Sequence, residues 1–426
     1  MEAAMARFHA PEAEAGRLSD LFATVYRCWG AAAALFVVVA GAAMLLWPGD
    51  GPVKIAVGAG LASILVRSLA KLNQERRRAV GDVRGAAIMD MVQTLGGFAV
   101  GAGLIVVGLK GAAPIAGLGA AAAIVLIFVL PTELRRGGGG EFVRNKAQAY
   151  AAYGLPVALS LILALALATT DRFLLAAFLN DTAVGVYHAG YSLANRTLDV
   201  MFIWLGAAGG PALIMALERG GGAALQKAAR EQAGLMLALG LPASVGLALV
   251  ARPLADVMIG PALRDGAASV TPWIAASALF AGLTTYYTHQ AFTLGRRTGL
   301  LLAAMSVPAA ANVGLNLLLI PRLGLPGAMM ATTASYGIGL AASIGLGRFA
   351  QPLPIPWAAL AKAALASAVM GAVVARLPAL GGAVELGLKA AAGVAVYGVA
   401  AYAFDIAGVR SRGRGAIGAL RARTAT

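Results

Sequence analysis

The sequence predicts an all-α polytopic membrane protein of about twelve transmembrane helices, and three observations carry that prediction. Of its 426 residues, 60% are hydrophobic and only 12% are charged, about half the charged share of an ordinary soluble domain. Apolar runs of spanning length recur along the whole chain. The basic residues fall mostly on one side of those runs.

A hydrocarbon core ~30 Å thick needs ~20 apolar residues per helical crossing. Runs that meet or approach this length lie at residues 30–48, 51–70, 85–109, 111–130, 149–179, 183–215, 234–259, 269–294, 298–320, 324–347, 357–377 and 384–405. Those starting at 149 and 183 are long enough that part of each tilts, bends or lies in the interface. Asn180-Asp181 marks the turn between them. With the first residues in the cytoplasm and the sides alternating, 25 of the 34 Lys and Arg fall on the cytoplasmic face and six on the other, while Arg172, Arg196 and Lys389 lie within spans. This asymmetry predicts that both termini are cytoplasmic. It also reinterprets the net charge of +15, which in a soluble protein would raise nucleic-acid binding. Here the charge marks topology and contact with anionic membrane lipid, and no nucleic-acid partner is expected.

Punctuation between the runs predicts four parts: an N-terminal lobe of four helices over residues 1–130, a linker over 131–148 containing Gly137 to Gly140, a C-terminal lobe of six helices over 149–350, and two additional helices with a basic tail over 351–426. The last part is set off by Pro352, Pro354 and Pro356, which deny helix. Gly97-x-x-x-Gly101 predicts close approach of two helix backbones.

Several function classes are excluded. The hydrophobicity rules out a soluble globular protein and disorder, and glycines without a triplet period rule out collagen. Cys28, the single cysteine, allows no internal disulfide, and no zinc-ligand spacing occurs. About thirty mixed polar residues precede the first run, so no cleavable signal is expected. No phosphate-binding Gly-x-x-x-x-Gly-Lys-Ser/Thr loop is present, and no nucleophile, base and orienter constellation is recognisable. The expectation is therefore a protein that is not an enzyme and takes no cofactor.

Ionisable residues inside spans cost on the order of 3 kcal/mol at the bilayer centre and normally face protein or a wet cavity. Asp171-Arg172 lies roughly 12 Å inside the outer end of its span, at ~1.5 Å per residue. It is either a self-compensated structural pair or a phosphate donor held by its neighbouring acid. Asn195, Arg196 and Asp199 share one helical face, which allows an intrahelical salt bridge or substrate contact. Asp90, near the cytoplasmic start of its span, suits either the helix N-terminus or an ion relay. His289, in the polar run Tyr286 to Gln290, is a second candidate for ion coupling. Asn312 and Asn316, four apart, are expected to make interhelical hydrogen bonds.

These residues also carry a resemblance. The stretch Asp171-Arg172-Phe-Leu-Leu through Val184-Gly-Val-Tyr-His-Ala-Gly-Tyr-Ser-Leu-Ala194 resembles the pattern of polysaccharide-transport flippases in the multidrug/oligosaccharidyl-lipid/polysaccharide exporter superfamily. So does the run from Gln290 through Gly295-Arg296, Asn312-x-x-x-Asn316-Leu-Leu-Leu-Ile-Pro321, Gly327-Ala328 and Ala331-Thr332. The match covers about residues 149 to 347. It implies a two-lobe bundle like that of the multidrug exporters, with two extra C-terminal helices, in the bacterial inner membrane. Aligning the run at 149 with the family's seventh helix leaves four spans before it, so the resemblance implies an N-terminal lobe lacking its first two helices.

The function implied is alternating-access flipping of a polyprenyl-pyrophosphate-linked oligosaccharide. Substrate contact falls to Arg172, Arg196, Asp171, Asp199, Asn195, Gln290, Asn312 and Asn316, with polysaccharide-assembly enzymes as further partners. Two alternatives stay open: a drug or organic-cation antiporter using Asp90, Asp171 and Asp199, and a non-transporting scaffold.

Overall fold

The computed structural model describes residues 2–47, 51–136, 138–408 and 410. Among these, eleven helices are long and apolar enough to cross a membrane. The longest is itself two helices joined at Gly221, so the eleven contain the twelve apolar runs read from the sequence. The protein is a multi-pass membrane protein. The chain divides into two compact units, residues 1–158 and 159–426.

The first unit contains α1 (Glu2–Glu14), α2 (Leu18–Leu46), α3 (Gly51–Ala79), α4 (Val83–Val106), α5 (Ala113–Arg136) and the start of α6 (Arg144–Phe178). The polar lead before the first apolar run is helical. It builds a small core in which Met5, Leu21, Phe22, Val25, Leu72 and Tyr150 are buried. Asp82 starts α4 as its N-cap, its Oδ1 accepting from the Gly85 amide at 2.8 Å. That amide, and then Arg77, hold the Asp82 carboxyl below its ordinary value. The helices α4 and α5 meet through glycine: a Cβ on Gly117 would lie 2.4 Å from the Gly97 carbonyl oxygen and from the Gly101 nitrogen. The spacing of Gly97 and Gly101 is thus explained by backbone approach.

Helix α5 continues through Arg136 and α6 begins at Arg144, so most of the stretch 131–148 expected to be linker is helix. The reason lies in Glu133, which is buried and forms an ion pair at 2.6 Å with Arg76 of α3. A polar run that reads as a loop is held as helix by a partner far away in sequence.

The second unit contains the rest of α6, then α7 (Asp181–Leu249), α8 (Ala251–Met258), α9 (Pro261–Leu283), α10 (Gln290–Leu294), α11 (Thr298–Leu323), α12 (Leu325–Gly347), α13 (Trp357–Val374) and α14 (Gly382–Ala403). The turn at Asn180 is a helix cap: its side chain accepts from the Ala183 amide at 2.9 Å. Gly221 bends α7 with φ 64° and ψ −159°, a region open to glycine. The run at 234–259 is broken at Val250, after which α8 lies apart. Arg252 on α8 meets Asp265, and it also meets Asp256 at 3.3 Å.

Between α9 and α10 one π-helical turn covers Thr284–Thr288, closed by the His289 amide donating to Thr284 at 2.9 Å. The wider turn shifts the backbone register, and the Tyr286 carbonyl accepts instead from Gln232 Nε2 of α7 at 3.3 Å. Such single π turns recur at functional positions.

Candidate functional site

The polar centre of the second unit is built on Asp171 and Arg172 of α6. The Asp171 side chain is 1% exposed and that of Arg172 19%. Asp171 accepts from the Tyr187 hydroxyl of α7. The Thr332 hydroxyl of α12 lies 2.9 Å from the Tyr187 oxygen and 3.4 Å from the same carboxylate oxygen. Three helices are thereby tied to one buried acid, which is how a charged group becomes tolerable in a membrane interior.

Arg172 is oriented by that acid. Its Nη1 donates to the Ala168 carbonyl and lies 3.3 Å from Asp171, and its Nε donates to His188 Nδ1 at 3.4 Å. The guanidinium carbon sits 5.7 Å from the Tyr187 ring centroid and 4.4 Å from that of Tyr191. Among the described residues Nη2 has no hydrogen-bond partner. The arrangement is a fixed planar cation with one donor edge uncommitted, the geometry that takes a phosphate or carboxylate oxygen.

A second polar cluster lies nearby on α7. Asn195 and Asp199 line a small cavity of about 80 Å³ together with Thr285 and Tyr286 of the π turn. The Tyr286 hydroxyl donates to Asp199 at 3.5 Å. Arg196 points elsewhere: it is exposed, and no ion pair to Asp199 forms among the described residues. The intrahelical salt bridge that the spacing allows is therefore replaced by a contact between α7 and the π turn.

The other sequence-derived residues are dispersed. Asn312 and Asn316 are buried and bond each other, Asn316 Nδ2 donating at 3.0 Å. That bond lies within one helix, and Asn312 Nδ2 and Asn316 Oδ1 have no partner. Gln290 lies beneath Gly210, its Nε2 3.7 Å from where a Cβ would stand. His289 Nε2 is 3.3 Å from the Ser343 hydroxyl. Ser343 and Thr288 line an apolar chamber of about 690 Å³ that also touches Arg348 and Trp357. Asp90 lies in the first unit and accepts from Gln74 Nε2 at 3.3 Å. Among the described residues no three His, Cys, Asp or Glu side chains gather as a metal site would require.

Sequence reasoning missed Tyr187, Tyr191 and Thr332 as parts of the centre. Tyr187 and Tyr191 are four apart and share a helical face, a signal that was readable. Thr332 needed the tertiary structure.

A family profile described as "Polysaccharide biosynthesis protein" matches residues 27–265, more than half of the chain and including the Asp171 centre. The chain belongs to that family. The fold of this polysaccharide biosynthesis protein is similar to a solved structure of the lipid II flippase MurJ in an inward closed conformation, with a TM-score of 0.72 and 13% identity, over 95% of this chain and 88% of that one. No curated protein matches the sequence.

Proposed function

We propose that this protein flips a lipid-linked oligosaccharide, an undecaprenyl-pyrophosphate glycan, across the bacterial inner membrane for surface or exopolysaccharide synthesis. The observation that carries the reading is Arg172, a guanidinium inside a membrane helix, fixed by Asp171, His188 and Tyr191, with Nη2 left uncommitted. A pyrophosphate cannot enter hydrocarbon without a cationic partner, and a planar donor edge matches its oxygens. Family membership and a fold shared with a lipid II flippase support the same direction. The apolar chamber of about 690 Å³ suits a length of polyprenyl chain. Arg196, exposed and without an ion pair among the described residues, is the second cation. Asn195, Asp199, Gln290, Asn312 and Asn316 supply polar contacts, and Asp90 and His289 remain proposals for ion coupling.

An organic-cation antiporter needs an open carboxylate. Asp171 is closed by Tyr187, Thr332 and Arg172, which disfavours that alternative.

The test is complementation of a deletion strain at matched protein levels. Arg172→Ala is expected to abolish surface polysaccharide while polyprenyl-linked glycan accumulates on the cytoplasmic leaflet. Undiminished export overturns the role of Arg172. Export indifferent to the deletion, with lost efflux of organic cations, overturns the flippase reading.

A further inference from the structure

Asp199 stands at the middle of the apolar run 183–215, and its carboxylate has no ion pair among the described residues. The Tyr286 hydroxyl donates to it at 3.5 Å, long for a bond between oxygens. Asp171, by contrast, is closed by Arg172, Tyr187 and Thr332. A charge at bilayer depth is costly unless another group or an ion answers it. For Asp199 the protein supplies no such counter-charge among the described residues.

What it supplies is oxygen. The cavity of about 80 Å³ beside Asp199 has Asn195, Asp199, Thr285 and Tyr286 as its polar lining, and Phe202 with alanine and glycine of α9 as the remainder. No Lys, Arg or His lines it among the described residues. Asn195 and Asp199 are half-buried and Thr285 is exposed, so these side chains keep surface to offer a ligand. Two consecutive residues of the π turn reach this cavity, and they face a carboxylate and an amide set four apart on α7.

One carboxylate, one amide oxygen and two hydroxyl oxygens form a hard ligand set with a single negative charge, and hard cations prefer oxygen. Charge count then selects among them. Ca²⁺ takes 6–8 oxygens and gains affinity from several carboxylates, and Mg²⁺ dehydrates reluctantly. A monovalent ion balances one carboxylate. Pockets for organic ligands run to roughly 300–1,000 Å³, which excludes an organic ammonium, whereas a small ion with a few waters fits about 80 Å³.

We infer that this cavity binds Na⁺, held by the Asp199 carboxylate and the oxygens of Asn195, Thr285 and Tyr286. The ion would neutralise Asp199 about 12 Å along α7 from Tyr191, the ring on which Arg172 rests. It removes a repulsion that an anionic headgroup meets near that acid. This use of the ion rests on the flippase reading, whereas binding is measurable without it.

The test measures binding of radioactive Na⁺ to the full chain in lipid nanodiscs, with thermal melting of the same samples. Saturable binding below about 0.15 M Na⁺ is expected, displaced by Li⁺ and not by choline. Na⁺ should also raise Tm, because an ion bound only by the folded protein stabilises it. Asp199→Asn should weaken binding at least tenfold and abolish the rise in Tm. Tyr286→Phe keeps the ring, which stacks on Phe202 with centroids 6.4 Å apart, and Thr285→Val keeps the side-chain shape. Each should weaken Na⁺ binding at least threefold with Tm in sodium-free buffer unchanged, and Thr285→Ser should bind as the parent does.

Absence of saturable Na⁺ binding overturns the proposal. So does binding that survives Asp199→Asn, which puts the ion at another acid, or displacement by choline as effective as by Li⁺. Weakened binding in Tyr286→Phe and Thr285→Val that tracks a lower Tm in sodium-free buffer overturns it as well. Na⁺ binding without glycan translocation would remove the flippase reading and leave the site standing. Translocation without Na⁺ binding would do the reverse.

Discussion

The guanidinium carbon of Arg172 lies 4.4 Å from the centroid of the Tyr191 ring, so this cation rests on an aromatic face supplied by the following helix. Asp171 and His188 fix its edge, and Tyr191 fixes its plane. A planar charge held this way is not interchangeable with a flexible ammonium.

From that relationship, Arg172→Lys should lower polysaccharide export at least tenfold although it keeps the charge. Tyr191→Phe retains the ring and should export near normally. Tyr191→Leu forfeits a cation–π contact worth about 0.5–2 kcal/mol and should fall between the two. Surface polysaccharide at matched protein levels orders the three.

Phe202 of α7 occupies a slot between glycines. A Cβ on Gly282 would stand 2.2 Å from its Cδ2, and one on Gly240 would stand 2.8 Å from its Cζ. Gly282→Ala should destabilise the protein by about 1–3 kcal/mol through overpacking. Phe202→Leu combined with Gly282→Ala should recover part of that loss. Thermal unfolding in detergent gives the comparison, and equal melting of the single and double variants would discard the steric account.

The Arg76–Glu133 pair joins α3 to α5 at 2.6 Å with side chains 7% and 2% exposed. Removing one partner strands the other charge, and such a break costs about 3–5 kcal/mol. Glu133→Ala should therefore be worse tolerated than Arg76→Met with Glu133→Leu, which removes both charges and keeps the volume. Yield and Tm of the three proteins measure the order.

His9 of α1 is buried against Phe22, their ring centroids 6.1 Å apart. Burial first, then the charges of Arg76 and Arg136, hold its imidazole below the ordinary value of 6.5. A depressed folded-state value means that its contribution to docking α1 is intact above the unfolded value of 6.5 and is lost as pH falls through the lower folded value. Protection factors of the α1 amides should fall as the pH is lowered below 6.5, and His9→Leu should abolish that fall.

The spans were legible because apolar length is a local property. Asn180 as a cap and Gly97 with Gly101 as a contact were legible for the same reason, since each acts within a few residues of itself or through its lack of a side chain. Asp171 and Arg172 stood out as charges in an apolar run. Glu133 did not, because the polar stretch after residue 130 reads as a linker, whereas α5 continues to Arg136 and Glu133 pairs with Arg76. Arg196 and Asp199 share a face that permits an ion pair, and the π turn redirects Asp199 to Tyr286 instead.

By itself the sequence determined how many apolar stretches of spanning length this chain has and where its costly charges lie, because both follow from transfer of consecutive residues into hydrocarbon. Only the tertiary structure decided that Asp171 is sealed by Tyr187 and Thr332 and that Glu133 is paired with Arg76. A buried polar atom is satisfied by whichever helix lies against it, and that neighbour can be more than a hundred residues away, as Thr332 is from Asp171.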